Sequence, residues 1–174
     1  MKIIKGTNWY FVGLVIIILI AFTVVMVLSS YHPSHTKRLR DTASITSLSR
    51  IQNLLDDYYF ENNSYPTSFS PLIEVRLKKL KENQDLLLNE EQILELAESI
   101  FRDPLTGKYY LYAFYPSENP TAYHLGAILE LTDKDAVIIG GASLENDSDF
   151  DSKVVGYVNG FDGKDPMYDL HVSK

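Results

Sequence analysis

Residues 9–28 read WYFVGLVIIILIAFTVVMVL, an uncharged apolar run of about the length one helix needs to cross the ~30 Å hydrocarbon core of a bilayer. No other stretch of the 174 residues comes close. The run predicts a membrane-spanning helix over residues 9–30, with a short tail at residues 1–8 and a soluble head beyond. A cleaved secretory signal is the competing reading, with Val27-Leu28-Ser29 as its processing site. Signal h-regions are shorter, about 7–15 residues, so the length favours a retained anchor. Lys2 and Lys5 precede the run, and Lys37, Arg38 and Arg40 follow it, so the positive-inside rule assigns no orientation. The basic residues of the juxtamembrane segment, residues 31–40, suit lipid headgroups.

Composition bounds the head, residues 41–174. It has the size of a single domain with its own core. Lys2, Lys5, Lys37, Arg38 and Arg40 are the only basic residues among the first forty, so eleven Lys/Arg face 23 Asp/Glu in the remainder, a formal charge of −12. Nucleic acid as a partner is excluded on that balance, because phosphates need clustered cations. Cysteine is absent, which removes disulfides, thiolate zinc sites and thiol catalysis together.

Helical signals come first along the head. His32-Pro33-Ser34-His35 interrupts the periodicity after the apolar run. Asp41-Thr42 offers an N-cap, and Ile45, Leu48, Ile51, Leu54, Leu55 and Tyr58 then recur at spacings of three and four. That pattern predicts an amphipathic helix ending near Asn62-Asn63-Ser64, before Pro66, and nearly continuous with the anchor as a stalk. A further helix is predicted over 71–82. Another is predicted over 90–101, opened by an Asn89/Gln92 capping box and turning Ile93, Leu94, Leu96, Ala97 and Ile100 to the core.

Asp103-Pro104-Leu105-Thr106-Gly107 is a turn signal. Beyond it the period becomes two, which predicts strands at 109–115, 123–131, 136–139 and 154–158. Asp133-Lys134-Asp135 reads as a hairpin connection. Helices followed by strands make the fold class α+β, with an antiparallel sheet packed on the long helix.

The order of these pieces resembles a known group. An apolar helix runs into one ending Tyr58-Tyr59-Phe60-Glu61-Asn62-Asn63-Ser64-Tyr65-Pro66-Thr67. Asp103-Pro104-Leu105-Thr106-Gly107-Lys108-Tyr109-Tyr110 then leads into the sheet. This is similar to the major pseudopilins of type II secretion and the wider type IV pilin-like family, over roughly residues 9–165. The resemblance implies a pilin-like head and a structural, non-enzymatic subunit of a secretion or pilus-type machine. Its implied partners are the lipid bilayer and like or related pilin-like subunits. Its implied place is a single-pass protein of the inner or plasma membrane, with the head in the periplasm or extracellular space. The chain departs from the family pattern at its start. Gly6 is followed by Thr7-Asn8-Trp9-Tyr10 and no acidic residue precedes Asp41, so the processing motif and the intramembrane carboxylate of pilin-like precursors are missing. A membrane-tethered extracytoplasmic binding module that does not polymerise stays open beside the fibre subunit.

Candidate chemistry is sparse. Asp147, Asp149 and Asp151 alternate in the acidic stretch Glu145–Ser152, a spacing that can bring carboxylates onto a hard cation such as Ca²⁺. It is not an EF-hand loop, since Ser152 and Val158 stand where glycine and glutamate are needed. The resemblance also implies calcium in a C-terminal acidic loop, and Asp162 with Asp165 is a second candidate pair. His32, His35, His124 and His171 are scattered and too few together for a zinc site; His32 and His35, flanking Pro33 near the membrane, read as interfacial polar residues. The tyrosines 109, 110, 112 and 115 lack the interleaved cations of a stacking platform and read as sheet packing. No nucleophile elbow, phosphate loop or zinc-protease helix occurs, so no catalytic or organic-cofactor site is expected.

Overall fold

The computed structural model describes residues 9–30, 33–82, 88–131, 147, 150–164 and 166–174. The chain divides into two compact units, residues 1–37 and 38–174. In the first, Trp9–Ser30 forms helix α1. Its side chains are described for residues 12–26, and those from Leu14 to Met26 are exposed. The Thr23 hydroxyl donates to the Ile20 carbonyl at 2.8 Å, which satisfies that polar group within the helix. Among the described residues no helix is long and apolar enough to cross a membrane.

Helix α2 runs from Pro33 to Asn62, well upstream of the expected N-cap at Asp41. Pro33 is its first residue. At a first helical position the missing N–H would have no intrahelical partner anyway. Asp41 therefore sits inside the helix, buried, and its carboxylate accepts from the Glu130 and Leu131 amides at 2.9 and 3.0 Å. Beside it, Arg40 makes a two-pronged ion pair with Glu130. One predicted lipid-facing cation is thus spent inside the fold.

The rest of α2 follows its periodicity. Ile45, Leu48, Ile51 and Leu55 are buried, and Leu54 and Tyr58 pack against them. Asn63 ends the helix in the left-handed region (φ 56°), which asparagine tolerates better than most residues. Tyr65 is then buried between Tyr59 and Tyr123, with ring centroids 4.6 and 4.7 Å away. Tyr112 Oη donates to the Pro66 carbonyl at 2.7 Å, fixing the corner to the sheet.

Helices α3, Ser70–Glu82, and α4, Glu90–Ser99, come next. Asn89 and Gln92 form the expected reciprocal capping box. Only Ala97 of α4 and Ile100 beyond it are fully buried. Leu94 and Leu96 are exposed, against the expectation, although their spacing from Ala97 and Ile100 puts them near the same stripe. The turn after Arg102 forms as read: Asp103 Oδ1 accepts from the Leu105 and Thr106 amides and the Thr106 hydroxyl. Gly107 closes it at φ 68°, where a side chain is disfavoured.

Strands β1, Leu111–Tyr115, β2, Ala122–Ile128, and β3, Met167–Ser173, form an antiparallel sheet in that order. The fold class is α+β, as expected. The third strand differs from the expectation. Residues 154–158 do not form a strand: Ser152–Val155 is one helical turn, α5, closed by Gly156 at φ 85°, and Val158 only bridges Phe114. Asp151 caps that turn, accepting from the Lys153 amide at 3.0 Å, and this local bond outweighs the β-branched pair Val154-Val155. The strand expected at 136–139 and the connection at 133–135 lie outside the described residues.

Alternation divides the sheet cleanly. Tyr112, Phe114, Tyr123, Leu125 and Ala127 face the α2 core, with Tyr168, Leu170 and Val172 packed at its edge. The other face carries Ala113, Ala122, His124, Gly126, Asp169 and His171, and residues 150–163 lie over it. Small residues let this cover approach closely. A Cβ on Gly126 would stand 2.7 Å from Phe161 Cε2.

Asp41→Ala removes the acceptor of two backbone donors in a buried setting. It is expected to lower unfolding free energy by about 2 kcal/mol or more, with an unchanged denaturant slope. Urea denaturation followed by circular dichroism checks it, and an unshifted midpoint would refute the assignment.

Candidate functional site

The described residues concentrate their buried polar chemistry under the cover. His124, mid-β2, is fully buried. Its Nε2 lies 2.6 Å from Asp169 Oδ2 and its Nδ1 lies 2.9 Å from Ser152 Oγ. All three side chains are inaccessible to solvent. The register explains the meeting. His124 is paired with His171 across β2 and β3, so Asp169, two residues earlier on β3, shares its face. The cap at Asp151 starts α5 and drops Ser152 onto the imidazole.

The remaining bonds tie the cover down. Asp169 Oδ2 also accepts from the Phe150 amide at 3.2 Å. Ser152 Oγ accepts from the Phe161 amide and lies 2.9 Å from the Phe161 carbonyl. Phe161 stacks on His124 with centroids 3.8 Å apart, and Phe150 stacks on His171 at the same spacing. His171 Nε2 lies 2.9 Å from Tyr157 Oη. Burial, and secondarily the neighbouring His124, holds the His171 ring below the ordinary histidine range, while Asp169 opposes this.

Serine, histidine and aspartate in a row is also the arrangement of nucleophilic catalysis. That chemistry needs an oxygen a substrate can reach. Ser152 Oγ is fully buried and engaged by both the N–H and the C=O of Phe161. In this conformation the row is a cross-link between the sheet and its cover.

The sequence reading scattered the histidines, and here it needs correction. His124 and His171 are cross-strand neighbours, the first buried and the second half-buried. His32 and the side chain of His35 lie outside the described residues. The signal that would have found the pair is the alternation Tyr168, Leu170, Val172, which turns Asp169 and His171 together to the opposite face.

The acidic loop is partly visible. Asp149 and Asp165 lie outside the described residues. Asp147 is close enough to Tyr168 that, after burial, its charge helps raise that phenol's pKa. Asp151 and Asp162 pair through their backbones, and each caps a nearby amide, of Lys153 and Lys164. Among the described residues no group of three His, Cys, Asp or Glu side chains converges as a metal site would require.

Among the clefts on the described part of the head, two flank the turn after Arg102. One, of about 760 Å³, lies between α2 and α4 and includes Ala43, Ser47, Glu91, Leu94, Glu95 and Tyr110. Its Arg102 is held by Glu98 at 2.6 Å and lies over the Tyr109 ring. The other, of about 290 Å³, lies beside β1 and is lined by Leu105, Tyr109, Leu111 and Ile128 with the Arg40–Glu130 pair at its margin. Neither brings a nucleophile and a base together. No protein-family model, curated protein or solved structure matches the chain.

Asp169→Ala strips a buried imidazole of its carboxylate and is expected to cost about 3 kcal/mol or more. Adding His124→Phe, which keeps a ring against Phe161, should make the combined loss fall short of the sum by about 0.5–3 kcal/mol. A double-mutant cycle in urea checks this. Strict additivity would show that the two side chains do not interact.

Proposed function

We propose that this chain is a membrane-anchored, non-catalytic structural subunit of a type II secretion or type IV pilus-type machine, its head pilin-like. The observation that carries the reading is the order of elements. An uncharged apolar helix of 22 residues precedes a 30-residue helix that ends just before Tyr65-Pro66-Thr67, and a turn on Asp103 then enters an antiparallel sheet. A helix of 22 residues at 1.5 Å per residue is about 33 Å long, and it is the uncharged apolar run 9–28 of the sequence, rather than any described helix, that suggests a span. Anchoring in the inner or plasma membrane, with the acidic head in the periplasm or outside the cell, belongs to the same proposal. So do its partners, the bilayer and like or related pilin-like subunits. Absent nucleophile motifs, together with the sequestered Ser152, support a non-catalytic role.

A second reading has its own support. Residues 6–10 are Gly-Thr-Asn-Trp-Tyr and no acid precedes Asp41, which favours a tethered interaction module that does not polymerise. Crosslinking in the native membrane separates the two. A ladder of multiples of the subunit mass is expected; a single foreign partner would transfer the case to the second reading. Extraction of the intact chain by alkaline carbonate would overturn both.

Calcium held by Asp147, Asp149 and Asp151 completes the proposal, since alternating carboxylates in one loop supply the oxygen donors a hard cation takes. Calcium is expected to raise the melting temperature of metal-stripped protein, as any ligand selective for the folded state does. Identical melting in calcium and in chelator would remove the site.

A further inference from the structure

We propose that residues 150–163 form a proton-operated latch: acidification releases this cover from β2 and β3 while α2 and the helix-facing side of the sheet stay folded. The inference does not depend on the anchor or on polymerisation.

The two faces of the sheet are held by different means. The helix face is a large cluster of aliphatic and aromatic side chains running from Ile45 to Leu129, without a histidine. The cover face has a small apolar cluster of Ala113, Ala122, Tyr157, Phe161 and Met167. Its other ties are the backbone pair of Val158 with Phe114 on β1, the Phe150 amide on Asp169, and contacts through two histidines. Phe150 and Tyr157, both of the cover, hold His171, one by a 3.8 Å ring stack and one by a 2.9 Å hydrogen bond.

The groups around His171 set the response. From the cover comes Tyr157, its hydroxyl 2.9 Å from Nε2; burial pushes its phenol pKa up, so the hydroxyl keeps its proton and is able to donate to an unprotonated Nε2. From β2 comes His124, directly opposite. From β3 itself comes Asp169, whose Oδ2 is engaged by His124 Nε2 and the Phe150 amide. From β1 comes Tyr115, stacked on Tyr157 at 5.5 Å. The other charged residues of the cover, Asp151, Lys153, Asp162 and Lys164, are half-buried or exposed.

A protonated His171 can only donate at Nε2, so the Tyr157 hydroxyl must turn to accept, and the ring becomes a cation in a half-buried position facing His124. The sign is that of a histidine held below its ordinary value. The stabilisation is complete above pH ~6.5 and is lost as pH falls through the lower folded-state value, because only the open form takes the proton readily. The loss falls on the elements that touch His171, which are those of the cover. The core on α2 has no such group.

Hydrogen exchange on the full chain in detergent micelles, read by mass spectrometry at pH 7.5 and 5.5 with intrinsic rates corrected, tests the latch. Protection of the Ser152, Tyr157, Phe161 and Gly163 amides is expected to fall at the lower pH, by up to about tenfold per pH unit. Protection of residues 48–55 should hold. His171→Gln, which keeps an acceptor without titrating, is expected to abolish the difference, and His171→Phe serves if the glutamine variant does not fold. Three results would overturn the proposal: pH-independent protection of the cover in the wild type, an undiminished pH response in both variants, or parallel loss of protection in α2.

Discussion

A three-stranded sheet has two faces, and in this head only one of them meets a long helix. The second must be buried by chain that is mostly irregular, and irregular chain brings backbone donors and acceptors that no ladder satisfies. The cover meets that demand with one helical turn and a few side chains that each serve several groups. Ser152 Oγ bonds the N–H and C=O of Phe161 while contacting His124. Asp169 Oδ2 serves both Phe150 N and His124 Nε2. A buried polar cluster is costly unless satisfied. Its presence beneath a cover with so little apolar contact marks it as the means of attachment.

The helix face obeys the opposite rule. There Tyr65, Tyr112 and Tyr123 bury large rings around the end of α2, and burial pushes their phenol pKa values up, so they remain uncharged donors. Tyr112 reaches the Pro66 carbonyl, and the Tyr65 amide bonds Pro120 at 2.7 Å, so helix exit, sheet and hairpin share one joint. At the other end of this unit Asp41 and Arg40 grip the chain leaving β2. The sheet is thus pinned to α2 at both ends, which leaves the cover as the part free to respond to conditions.

Local signals in the sequence were reliable where a local cause decides the structure. The α2 stripe, the Asn89/Gln92 box, the Asp103 turn and the Tyr65-Pro66 corner each rest on residues within a few positions of one another. The misreadings share a different cause. Asp41 looks like an N-cap because its partners, the amides of residues 130 and 131, lie about ninety positions away. Val154-Val155 looks like a strand until Asp151 and Gly156 close it into a turn. His124 looks isolated because Ser152 and Asp169 are 28 and 45 positions distant. Nothing in one sequence lists such partners. The alternation of residues 168–172 would have recovered β3, and from it the face that His171 shares with Asp169.

Were the acidic loop to take the proposed cation, the cover would have two opposed inputs. Asp151 belongs both to the alternating trio and to the cap of α5, and the next residue, Ser152, touches His124. A cation held by the loop would bind the ordered cover and so stabilise it in proportion to its occupancy. A proton on His171 favours the released cover instead. The two ligands would act through one segment without sharing a donor atom, because His171 is engaged by Tyr157 and the Asp151 carboxylate by the Lys153 amide. By linkage each must then weaken the other's binding by the same factor. The α2 face, which has no titrating histidine, keeps the fold whole whichever state the cover adopts.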